Sequence, residues 1–214
     1  MLSQKIIILA GADIDDYSWH RQQIDANDIV ICADSGARHA KVMDIMPDTI
    51  IGDFDSIDLK LLKGYEGQCD IIRDDNQNTT DLMKALAQCP DELQIEIYGA
   101  IGQRADHDFS NYLILMGMDN PDRIVLKTKN ETRRVVKSSA TIKGHIGDVM
   151  GLFPLSKINN FKVKGLKYTP DVLGEPYDFG WNGACNEMVE DIVEISFDKG
   201  GALLLTQTQK NRAV

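Results

Sequence analysis

The chain has 214 residues, 43% hydrophobic and 26% charged, enough for a sizeable core in one or two domains. Its 33 acidic residues outnumber 23 Lys and Arg, and the formal charge of −10 argues against a sequence-independent DNA- or RNA-binding face. No apolar run approaches the ~20 residues of a membrane span, so neither nucleic acid nor membrane is an expected partner.

In chain order, the first stretch "MLSQKIIILAGAD" has the outline of a signal peptide. Its apolar run is too short and a carboxylate follows soon, so it reads as a first β-strand. Short, mostly apolar segments then recur: "KIIILA" (5–10), "DIVICA" (28–33), "DTIIG" (48–52), "CDIIR" (69–73), "LQIEIYG" (93–99) and "RIVLKT" (123–128). Such runs suit strands buried on both faces. Helical patterns fit between them. "TDLMKALAQC" puts Leu82, Ala85 and Leu86 on one face, with Pro90 after it, and "DHDFSNYLILMGM" spans 106–118. Strand–helix alternation predicts a parallel sheet layered by helices.

After about residue 130 the texture changes. "TRRVV", "SATIKG", "DVMGLFPLS", "NFKVKGLKYT", "VEDIVEISF" and "ALLLTQTQ" are strand-like, several divided by glycine turns. The expectation is a three-layer α/β domain over 1–129, followed by a smaller all-β sandwich over 130–214. Cys32, Cys69, Cys89 and Cys185 form no C-x-x-C pair, and the four histidines have no metal-ligand spacing. Reduced thiols in a cytoplasmic protein are expected.

The chemistry gathers at strand ends, where parallel α/β sheets bind ligands. The second strand runs into "ADSGA", with Asp34. The third runs into "GDFDS", with Asp53 and Asp55. The fourth is followed by "DDNQNTTD", ending at Asp81, and the fifth by "GAIGQRADH", with Arg104 and Asp106. Clustered carboxylates repel unless a cation neutralises them. A hard divalent ion, Mg²⁺, held by oxygens and recruiting phosphate, explains the set. Gly36, Gly52, Gly99 and Gly102 lie where backbone turns tightly or approaches a ligand, and Arg104 offers a fork of donors to phosphate. Asp81 has a second reading, as a first-turn acid behind a Thr80 cap. Asp and Gly are also ordinary turn residues, but four successive strand ends are hard to ascribe to coincidence. No P-loop, G-x-G-x-x-G or G-x-S-x-G motif is present, and Ser35 has no placed histidine partner that would make it a nucleophile.

"ADSGA", "GDFDS", "TTD", "GAIGQRADH" and the later "GLKY" resemble, in this order, the motifs of the thiamine pyrophosphokinase (thiamine diphosphokinase) family. The resemblance implies transfer of the pyrophosphoryl group of ATP to the hydroxyl of thiamine, giving thiamine diphosphate and AMP. It implies an α/β nucleotide domain followed by a β-sandwich, and a homodimer with composite sites. By matched position it assigns Asp34, Asp53, Asp55 and Asp81 to magnesium, with Asp53, Asp55, Asp81 and Arg104 catalytic. It assigns Ser35, Gly36, Gly99, Gly102, Asp106 and His107, with Asp34 and Arg104, to ATP. It implies thiamine contacts for Gln77, Trp181, Cys185 and Asn186. Two departures stand out: Asn78 where an acid is common, and "GACN" (183–186) where a serine-rich S-x-S-N is usual. Another Mg-dependent phosphoryl or nucleotidyl transferase, and a non-catalytic thiamine or nucleotide sensor, are the alternatives.

Overall fold

The computed structural model describes residues 4–102, 104–173 and 176–209, without the side chains of 172 and 173. Residues 1–3 of the first predicted strand's approach, and Gln103 of "GAIGQRADH", lie outside the described residues. The chain folds as two compact units, one of residues up to 111 with 123–129, the other of 112–122 with residues from 130 onward.

In the first unit, β1 (Ile6–Leu9), β2 (Ile29–Ala33), β3 (Thr49–Gly52), β4 (Asp70–Arg73), β5 (Ile95–Tyr98) and β6 (Ile124–Lys127) form a parallel sheet in the order β6-β5-β1-β2-β3-β4. The apolar runs are continuous because both faces are covered. All four residues of β1 are buried; Ile7 and Leu9 join a core with Val30, Cys32, Ile50 and Tyr98, while Ile6 and Ile8 pack on the opposite side. The helices α1 (Tyr17–Gln22), α2 (Ala37–Val42), α3 (Leu59–Tyr65) and α4 (Asp81–Leu86) connect these strands. Ala37 and Ala40 of α2 enter the first core, and α4 lies on β2 and β3 through Leu82, Ala85 and Leu86. Strand order reverses direction at β1, so the loops after β1, β2, β3 and β5 open at the carboxyl edge beside the crossover, where a ligand crevice forms.

The fifth helix, α5 (Ala105–Gly117), follows β5. Its later residues cluster with the second unit: the Tyr112 hydroxyl meets Arg133, and Lys137 Nζ donates to Met118 O at 2.6 Å.

The second unit is β7 (Glu131–Val136), β8 (Ala140–Lys143), β9 (Val149–Pro154), β10 (Lys162–Lys164), the short α6 (Pro170–Leu173), β11 (Gly183–Glu187), β12 (Ile192–Ser196) and β13 (Leu203–Thr208). Two antiparallel sheets, β11-β9-β13-β7 and β10-β12-β8, close on one core. Val136, Leu152, Leu203 and Leu205 come from the first sheet, and Ile142, Val193 and Ile195 from the second. The expected α/β-then-β order is the observed one. No helix among the described residues is long and apolar enough to cross a membrane.

Candidate active site

The pocket of the first unit has a volume of about 480 Å³ and opens at the carboxyl edge of the sheet. Asp34, Ser35, Asp53, Asp81, Gly99, Arg104 and His107 line it. Gly36, Asp55, Gln77, Gly102 and Asp106 stand beside it without forming its wall. Trp181, Cys185 and Asn186 belong to the second unit.

Asp34 is the most constrained of these residues. It opens the 3₁₀ turn Asp34–Gly36, its backbone is left-handed (φ 46°), and it is 2% exposed. A non-glycine residue in that region carries strain that the surroundings must hold in place. Its Oδ1 is buried with no hydrogen-bond partner. Burial pushes its carboxyl up; the Ser35 N–H opposes this, and the charges of Asp81, Asp53 and Asp55 push in the same direction as burial. A side chain on Gly52 would stand 2.8 Å from Asp34 Cβ, so the end of β3 leaves room only for this arrangement.

The other carboxylates each have a donor. Asp53 accepts from Asp55 N–H at 3.1 Å and from Gln77 Nε2 at 3.0 Å, and these bonds hold it below the usual carboxylate range. Asp55 accepts the Ser56 hydroxyl at 2.6 Å and is exposed. Asp81 is the first residue of α4, with the Thr80 hydroxyl accepting Met83 N–H behind it. Thr80 caps the helix as the second reading expects, and Asp81 lines the pocket. Asp81 Oδ1 accepts from Lys84 Nζ at 3.0 Å. Lys84 is 4% exposed and was invisible to sequence reasoning, because a lysine one turn into a helix reads as solvated. Burial pulls its amine down, but Asp81, with the fields of Asp53 and Asp74, holds it above the ordinary lysine range.

Arg104 donates through Nε and Nη2 to Asp106, at 3.2 and 2.6 Å, on an open surface. Such an exposed pair is weak, so an incoming phosphate can take the guanidinium. Asp108 and Asn111 were not singled out from the sequence. They sit one helical turn apart on α5 and pin the glycine loop: Gly102 N–H donates to Asp108 Oδ1 at 3.1 Å, and Asn111 Nδ2 donates to Ala100 O at 3.0 Å. The i, i+3 pair after a glycine loop was the available signal.

Beneath the Gly11–Ala12 wall lies a fully buried histidine. His39 Nε2 contacts Ala12 O at 2.8 Å and Nδ1 contacts the Tyr17 hydroxyl at 2.8 Å. A carbonyl only accepts, so Nε2 carries the proton and Tyr17 donates to Nδ1. Burial, then the Arg38 charge, lowers the His39 pKa to about 4. The unfolded chain titrates near the ordinary 6.5, so stability is complete above that pH and falls as pH drops towards 4. The expected loss through His39 is about 3 kcal/mol. Urea titrations between pH 7.5 and 4.5 check it: His39→Gln should flatten this slope, and equal slopes for both proteins would exclude His39 as its source.

In the second unit, Asn186 is 2% exposed and bound to the "GLKY" backbone. Its Oδ1 accepts Tyr168 N–H at 3.0 Å, and its Nδ2 donates to Tyr168 O at 2.6 Å. The asparagine fixes that loop. Trp181 packs edge-on against Tyr177 (5.4 Å) and Phe161 (6.2 Å), half-buried over the sandwich core. Cys185 is exposed with φ 59°, at the register shift of β11 against β9 between Gly183 and Asn186.

Magnesium is implied by the resemblance, and the donor chemistry fits it. Asp34, Asp53 and Asp81 present hard oxygens to one pocket, one of them buried and unpaired. Among the described residues no three His, Cys, Asp or Glu stand close enough together to hold one ion.

The family model for the thiamin pyrophosphokinase catalytic domain matches residues 20–126. No curated protein matches the chain. Among solved structures, thiamine pyrophosphokinase from Bacillus subtilis matches with a TM-score of 0.78 at 24% identity, over 97% of this chain and 100% of that one. A thiamin pyrophosphokinase family protein from Enterococcus faecalis gives 0.80 at 19%, over 97% and 100%. Thiamin pyrophosphokinase from Candida albicans gives 0.74 at 19%, over 97% and 90%. At these identities the likeness establishes the fold.

Proposed function

The chain belongs to the thiamin pyrophosphokinase family, and from that premise we propose that it transfers the pyrophosphoryl group of ATP to the hydroxyl of thiamine. The observation that carries this reading is the acid-lined pocket at the carboxyl edge of the parallel sheet, holding Asp34 with its unpaired buried oxygen. A non-catalytic sensor would gain nothing from collecting carboxylates around a polyanion.

In this reading the thiamine oxygen attacks the β-phosphorus of ATP, the bond to the α-phosphate oxygen breaks, and AMP leaves. Transfers of this kind depend on alignment and charge neutralisation more than on covalent help from the protein. Asp34, Asp53 and Asp81 would hold Mg²⁺, with Asp55 in support; bound there, the ion supplies neutralisation of the triphosphate charge. Arg104 exchanges Asp106 for a phosphate oxygen and stabilises charge on the transferred group. The positive φ of Gly99 (66°) turns the loop under the phosphates, and Asp108 and Asn111 keep that loop in place. A pocket carboxylate accepts the hydroxyl proton. Ser35 and His107 line the nucleotide side of the pocket, while Gln77, released from Asp53, is free to meet thiamine. The homodimer is part of this reading.

The test is the product. Incubation with Mg-ATP and thiamine is expected to yield AMP and thiamine diphosphate in equal amounts. ADP or inorganic phosphate alone would overturn the proposal.

A further inference from the structure

Lys84 stands where burial disfavours a lysine. Its side chain is only 2% exposed, and a buried ammonium is costly without a partner. Helical side chains lean towards the N-terminus, so the long stem returns its Nζ to the first turn, onto Asp81 Oδ1 at 3.0 Å. The carboxylate it holds is part of the pocket wall, with Asp34 and Asp53 in the same wall.

We infer that Lys84 is a positioning residue, a fixed internal counter-ion that orients Asp81 and trims the negative charge of the pocket so that it accepts a metal–nucleotide complex rather than a bare cation. The inference rests on the metal–nucleotide reading of the pocket given above. Its physical content is a sign. Bare Mg²⁺ is positive and is repelled by the ammonium, whereas Mg-ATP is negative overall and is attracted by it. Removing the Lys84 charge therefore moves the two affinities in opposite directions. A side chain that merely fills space would move both the same way, through loss of pocket geometry.

The experiment is calorimetric titration of the full chain with Mg²⁺ alone and, separately, with Mg-ATP. Lys84→Met removes the charge and keeps the length. Lys84→Gln removes the charge and keeps an amide donor, and it carries the test if the methionine variant does not fold. In both variants bare Mg²⁺ is expected to bind about three- to tenfold tighter, and Mg-ATP weaker by a similar factor. Parallel weakening of both, or no change in either, overturns the inference, as does a wild-type protein that binds no Mg²⁺. Neither titration uses thiamine. A protein with opposite shifts but no thiamine diphosphate product would retain the Lys84 assignment and lose the proposed reaction.

Discussion

Asp53→Ala is expected to lower turnover by about 10²–10³ at saturating Mg²⁺ while leaving the fold intact. Asp53 follows the last residue of β3, half-exposed, with its charge held on by Asp55 N–H and the Gln77 amide. Those bonds are on the surface and contribute little to stability, so the melting temperature should move by only a few degrees. Removing one of several like charges also relieves repulsion on Asp34. Asp55 lies outside the pocket wall with its carboxylate on Ser56, so Asp55→Ala should lose turnover by a smaller factor. Steady-state rates of AMP release with a Mg²⁺ titration measure both. Near wild-type turnover of Asp53→Ala would remove this residue from the metal site.

Gly36→Ala is expected to destabilise the protein by about 4 kcal/mol or more, enough to prevent folding of a marginal domain. The backbone at Gly36 is ordinary (φ −57°), so conformational strain is not the cause. A methyl group there would lie 1.9 Å from Leu9 O, an atom of the central strand that cannot withdraw without breaking the sheet. The absence of a side chain is what lets the Asp34–Gly36 turn sit this close to Leu9 of β1. Gly64→Ala is the control: it is a helical glycine in α3 with nothing within 4 Å of the added carbon. It should be neutral or stabilising by up to about 1 kcal/mol. Urea denaturation of the two variants gives the comparison, and a Gly36→Ala protein of wild-type stability would refute the packing argument.

Much of the first unit was legible because its code is local. The runs from "KIIILA" to "RIVLKT" are apolar throughout since a parallel sheet is covered on both faces, and each became a strand. Alternation with helices placed the ends of β2, β3 and β5 on one edge, so the acids of "ADSGA" and "GDFDS" could be read as neighbours from topology alone. The β texture of the second half followed from its glycine-punctuated short strands.

What the sequence could not contain was distance and solvent access. Asp53 and Asp55 look equivalent in "GDFDS", but Phe54 between them takes a left-handed backbone (φ 65°), Asp53 lines the pocket wall, and Asp55 accepts the Ser56 hydroxyl. Asn186 is open in sequence to fixing either the loop or the ligand, and its pairing with Tyr168, eighteen residues earlier, shows that its polar atoms bind that backbone. Trp181 stands in a glycine-flanked stretch of the sequence, and only the fold shows that it packs with Phe161 and Tyr177. Lys84 reads as a solvated helix residue and is buried on Asp81. Pattern along the chain determined which elements form and which edge carries the charge. Burial and pairing between distant residues, which depend on how those elements pack, decided which of the polar atoms remain available for chemistry.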